Sequence, residues 1–127
     1  LVDALRRGIV GKVLAILERT LELEPEHSEA HTANGMYHAE IIDKVGKMIG
    51  GMTNGPSADK ALAHFARALE LTPEAPIAHI EYGNGLYLLY GDRRLDEVTD
   101  LYVKASGMQA RDAMEKLDIE AALAELE

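Results

Sequence analysis

Two stretches of the chain, ERTLELEPEHSEAH (18–31) and ARALELTPEAPIAH (66–79), align without a gap: Leu-Glu-Leu, one residue, Pro-Glu, then Ala-His. Their prolines, Pro25 and Pro73, lie 48 residues apart. A repeated unit that cannot bury its apolar face alone must layer against its neighbours, so this repetition restricts the fold more than any single motif. Hydrophobic spacing says what each unit is made of. Leu5, Ile9, Val13, Leu14, Leu17 and Leu21 recur at helical intervals, and Pro25 disfavours helical geometry in Glu24. A first helix is therefore predicted to stop near Leu23. A second opens at Ser28, an N-cap candidate, and continues through Ile41, Ile42, Val45, Met48 and Ile49. Ser57 is the cap candidate of a third, which runs to Leu71 ahead of Thr72-Pro73. A fourth starts around Pro76, whose missing N–H is harmless in a first turn, and ends near Gly91-Asp92. A fifth spans roughly 95–105, Gly107 punctuates, and residues 108–127 read as a sixth. No stretch alternates with period two, so the expected class is all-α.

Composition agrees. A chain of 127 residues suits one domain with a core, and one Phe and no Trp leave that core to Leu, Ala, Ile and Val, which favours helices. The formal charge is −9, from 22 acids against 13 bases. The bases are scattered, with only the pairs Arg6-Arg7 and Arg93-Arg94, whereas nucleic-acid binding needs a basic face. Nucleic acid and anionic membrane surfaces are both disfavoured as partners. The absence of cysteine excludes disulfides, thiolate metal sites and cysteine nucleophiles, and leaves cytoplasmic, periplasmic and secreted settings open. No apolar run approaches the ~20 residues of a membrane span, so a soluble protein is expected.

The second copy also carries a familiar spacing. ALAHFARALELTP holds Ala61, Phe65, Ala68 and Pro73, while His31-x₂-Asn34-Gly35-x₂-His38 and His79-x₂-Tyr82-Gly83-x₂-Leu86 recur upstream of the equivalent ends. This resembles the tetratricopeptide repeat, a 34-residue helix–turn–helix with the pattern W-x₂-L-G-x₂-Y…A-x₃-F…P. Histidine stands in place of Trp twice, and Asn or Tyr in place of Leu. The resemblance covers about residues 8–106. It implies a single domain of antiparallel helical hairpins, about two and a half repeats. Residues 8–25 would be the second helix of a first repeat, 28–75 a repeat with an insertion at about 43–57, and 76–106 another repeat. Residues 108–127 would then form a capping helix, turning Leu117, Ala121 and Leu123 or Leu126 inward. Gly35 is expected to meet Phe65, and Gly83 to meet Tyr102.

The glycine-rich stretch IGGMTNGPSADK (49–60) invites a phosphate-loop reading. That loop needs G-x₄-G-K-[ST] after a strand. Gly46 and Gly51 have the separation, but Met52-Thr53 follow and the preceding residues read as helix. The excess over a 34-residue repeat instead falls between Gly35 and Ala61, inside one hairpin. The first helix of that hairpin should overshoot its partner by two to three turns and return through TNGPS, where Asn54-Gly55 suits a tight turn. Its apolar stripe, Val45, Met48, Ile49 and Met52, either covers neighbouring helices or meets another chain, a homo-oligomer included.

His31, Asn34 and His38 share one helix face, and His79 is equivalent to His31. Two readings stay open. They are polar spacers bonded to backbone carbonyls, tyrosine or glutamate, or they form a zinc-type or small-ligand site of His31, His38 and His79 with Glu81. No H-E-x-x-H is present, since His27 and His31 enclose Ser-Glu-Ala, and no G-x-S-x-G elbow occurs. Neither an enzyme nor a bound cofactor is expected. The expected function is protein binding. In relatives of this architecture the first helices of successive hairpins line a concave groove, which places Glu29, Thr32, Met36, Ile77, Ile80, Asn84 and Tyr87 against a peptide segment. Acidic rims call for a neutral or basic partner.

Overall fold

A computed structural model describes the backbone of residues 2–45 and 57–127, and the side chains of residues 8–44 and 57–127. The described residues form six α-helices: α1 (Val2–Leu23), α2 (Ser28–Val45), α3 (Ala58–Leu71), α4 (Pro76–Tyr90), α5 (Leu95–Ser106) and α6 (Ala113–Leu126). A single 3₁₀ turn, Gly91–Arg94, links α4 to α5, and no strand occurs among the described residues.

Local chemistry sets the ends. Ser57 caps α3 by accepting from the Lys60 N–H at 3.3 Å. Pro76 occupies the first turn of α4, and Gly91, at φ +57°, takes the left-handed conformation that ends it. Arg94 sits over the Tyr90 ring at 4.7 Å and pairs with Glu97, which pins the 3₁₀ turn to α5. Two expectations are corrected. Ser28 is not the cap of α2; His27 is, its Nδ1 accepting from the Ala30 N–H at 3.0 Å. Ser28 instead reaches the far end of α3, with Oγ 2.7 Å from Thr72 Oγ1 and 3.2 Å from the Ala68 carbonyl. The last helix begins at Ala113 rather than near 108, because Asp112 caps it by accepting from the Glu115 N–H at 2.8 Å.

Cross-helix contacts give the pairing. Ser28 opposite Thr72, His31 opposite His64, Gly35 opposite Ala61 and His38 opposite Ser57 run α2 and α3 antiparallel. Gly83 against Tyr102, and Ile80 clustered with Ala105, do the same for α4 and α5. Helix α2 also packs on α4, α3 on α4, and α6 on both α4 and α5, whereas α1 rests chiefly on α2. Because Ser57 lies abreast of His38, α2 runs seven residues past the start of its partner, about 10 Å of helix. The expectations for Met48, Ile49 and Met52, and for the Val45 side chain, fall outside the described residues.

The core turns on one aromatic ring. Phe65, flanked by buried Ala61 and Ala68, clusters with Ala39 and Leu89 and stacks on Tyr82 at 5.5 Å between centroids. Glycine makes room for that ring from two helices at once. A Cβ on Gly35 would lie 3.0 Å from the Phe65 ring, and one on Gly85 would lie 2.5 Å from its Cζ. The contact of Gly83 is looser, 3.4 Å from Tyr102 Cε1.

The inward face of α6 also differs from expectation. Leu117, Leu123, Leu126 and Ala121 are exposed, while Glu115 and Ala122 are buried. Arg111 explains the rotation. Its guanidinium holds the Glu115 carboxylate through two nitrogens, at 2.9 and 2.7 Å, and its backbone N–H donates to the same carboxylate at 2.8 Å. That clamp fixes Glu115 on the packed side and carries the leucines outward.

Candidate functional site: a histidine seam and an acidic face

Helix α2 presents its histidines to α3. His31 Nε2 donates to the Pro25 carbonyl at 2.8 Å, which leaves Nδ1 as the acceptor; it lies 3.1 Å from His64 Nδ1. His38 Nδ1 accepts from the Ser57 N–H at 3.0 Å, and its ring stacks over His64 at 6.2 Å between centroids. Burial first, then the charges of His64 and Lys60, depress the His38 pKa from 6.5 to about 4. Burial also lowers that of His64, aided by His31 and opposed by Glu18 of α1. Burial between the helices thus favours the neutral form of His38 and His64.

His79 stands apart from this seam. Its Nε2 donates to the Pro73 carbonyl at 2.9 Å, the same bond that His31 makes to Pro25 48 residues earlier. The set His31, His38, His79 and Glu81 is thus not gathered around one point. Among the described residues, no group of three or more His, Cys, Asp or Glu is placed to hold a metal ion. Asn34 lies between the two seam histidines in sequence and is fully buried, with neither side-chain amide atom hydrogen-bonded to protein. Such a group forfeits its hydration without return. Asn34→Leu, which keeps the side-chain shape, is expected to stabilise the fold by about 1–2 kcal/mol. A melting midpoint that falls would show that the amide is in use.

The groove residues separate into two groups. Glu29, Ile77 and Tyr87 are exposed, and Thr32 and Met36 half-buried, as a binding face requires. Ile80 is instead buried against Ala105 and Ala122, beneath α6. Asn84 is engaged as well, accepting a hydrogen bond from the Tyr102 hydroxyl. The open line along α4 shifts by one residue, from Ile80 to the half-buried Glu81, with Ile77 and Tyr87 exposed to either side in sequence.

That shift brings carboxylates together. Burial raises the Glu81 pKa; its bond to Asn84 opposes this, and the charges of Glu40 on α2 and Asp118 on α6 reinforce it. Asp118 is itself raised, by burial and then by Glu115 and Asp112. Glu81 on α4 thus feels the charge of Glu40 on α2 and of Asp118 on α6, and α4 packs on both of those helices. Sequence reasoning missed Glu40 and Asp118 for this purpose. In a chain with 22 acids, neither spacing nor composition distinguishes a convergent carboxylate from a solvated one. No helix among the described residues is long and apolar enough to cross a membrane. Compared with models of known protein families and with curated proteins, the chain matches none.

Proposed function

We propose that the chain is a tetratricopeptide-like helical-repeat module, not an enzyme, that captures an extended basic segment of another protein along the face shared by α2, α4 and α6. The repeat reading is supported by the paired His–Pro bonds at 31/25 and 79/73 and by glycine meeting an aromatic ring in both hairpins. The binding reading rests on Glu81 of α4, which feels the charges of Glu40 on α2 and Asp118 on α6. The raised pKa values of Glu81 and Asp118 mean that the folded protein holds those two charges at a cost, which a lysine or arginine side chain relieves on binding. Exposed Ile77 and Tyr87 add apolar anchors beside the acids. A histidine-based metal site finds no such support: among the described residues no group of three or more His, Cys, Asp or Glu is placed to hold a metal ion.

Fluorescence anisotropy with labelled Lys/Arg-rich, neutral and acidic peptides tests this reading. The basic peptide is expected to bind best, and Glu81→Gln with Asp118→Asn to weaken it by about tenfold or more. Equal binding of all three peptides, or a double variant that binds as the parent does, would overturn it.

A further inference from the structure

Both outermost described helices turn an apolar line away from the molecule. On α1, Ile9, Ile16 and Leu23 are exposed at seven-residue intervals, Ile16 to 64%. Val13 and Thr20 lie half-buried between them, which gives the four-and-three alternation of a helix-pairing seam. On α6, Met114, Leu117, Ala121 and Ala124 follow the same alternation, with Leu117 exposed to 59%. This second line exists because the Arg111–Glu115 clamp rotates α6 so that its leucines face outward.

Charge selects the occupant. Lys12 and Arg19, both exposed, flank the α1 line on the side away from α2. Arg19 is tied only to Glu22, through a fully solvated pair that is readily exchanged. The α6 line has acids on both flanks, Glu120 on one side and Asp118 and Glu125 on the other. Pairing α1 with a second α1 sets bases against bases in the antiparallel arrangement, and pairing α6 with α6 sets acids against acids. Only α1 against α6 is attractive, and it is so whichever acidic flank meets the bases. The two lines are of similar reach, about 21 Å from Ile9 to Leu23 and about 15 Å from Met114 to Ala124 at the helical rise.

We infer that the α1 face of one copy docks on the α6 face of a second, a head-to-tail contact that continues the helical layering from one chain into the next. Such a contact uses different surfaces on its two sides, so it propagates beyond a dimer, as an open array or a closed ring. It does not engage the histidine seam, and it shares only Asp118, at the edge of the α6 line, with the acidic face.

Sedimentation velocity and light scattering of the full chain over a concentration series test this. The parent protein is expected to grow past the mass of a dimer as concentration rises. Ile16→Glu and Leu117→Lys, each at an exposed position, are each expected to be monomeric alone, with circular dichroism unchanged. Mixed, the two variants retain one intact face each and should form a 1:1 dimer that grows no further. A charge-only pair checks the same contact without altering the apolar lines. Lys12→Glu with Arg19→Glu should weaken association about tenfold, and adding Glu120→Lys with Glu125→Lys should restore it. A parent that is monomeric throughout, a Leu117→Lys variant that still dimerises, or a mixture that fails to combine would each overturn the inference.

Discussion

Phe65→Ala is expected to destabilise the fold by about 3–5 kcal/mol, the cost of emptying a fully buried aromatic site. The ring is 1% exposed and touches the environments of α2, α3 and α4 together, so its loss loosens three helices rather than one. The same geometry grades the glycines. Gly85→Ala drives a methyl into a ring that Tyr82 backs at 5.5 Å, so overpacking costs about 1–3 kcal/mol. Gly35→Ala, at 3.0 Å, asks for a smaller displacement of the same ring and should cost less. Gly83→Ala meets Tyr102 at an ordinary contact distance and gains the helix propensity of alanine, about 1 kcal/mol, so its melting midpoint should rise. Thermal melts of the four variants check the order.

Acid is expected to weaken the fold from about pH 6.5 downward, starting above the range in which carboxylates titrate. His38 has its pKa lowered from 6.5 to about 4, so between those values the unfolded chain binds a proton that the folded one refuses. Stability from this group is complete above about pH 6.5 and falls as the pH drops towards 4. The total loss is about 3 kcal/mol for one buried ring, and His64, lowered in the same direction, adds to it. Glu115, whose pKa the Arg111 guanidinium holds down, loses its contribution only below the usual carboxylate range. The midpoint of urea unfolding, followed from pH 7.5 to 4, should fall steadily. His38→Gln, which keeps an acceptor for the Ser57 N–H, should flatten that fall. A parent protein with constant stability down to pH 5 would contradict a neutral buried seam.

How much of this was legible depended on how local the cause was. Pro25, Pro73, Pro76 and Gly91 act on their own backbone, and the helix ends they imply match the observed ones closely. The pairing of Gly35 with Phe65 and of Gly83 with Tyr102 was legible from the repeated spacing, and both contacts are present. Gly85, the tightest glycine approach among the described residues, was not. It lies outside the repeated pattern, and its requirement comes from a ring 20 residues away. The face of α6 was misjudged because apolar residues were assumed to point inward. There, a bidentate arginine–carboxylate clamp outweighs four exposed apolar side chains. Ile80 was placed in the groove because the resemblance sets the first helix of each hairpin along it. Its burial is decided by where α6 lands, and nothing in the sequence near Ile80 records that.

Everything proposed for the shared face of α2, α4 and α6 requires that the hairpin α2–α3 and the helix α4 meet at Phe65. A double-mutant cycle of Phe65→Leu and Gly85→Ala measures that meeting directly. Leucine is shorter and leaves room for the added methyl, so the double variant should be more stable than the two single losses combined predict, by about 1–3 kcal/mol. Losses that simply add, to within about 0.5 kcal/mol, would mean that residues 65 and 85 do not touch, and the layered arrangement would be wrong.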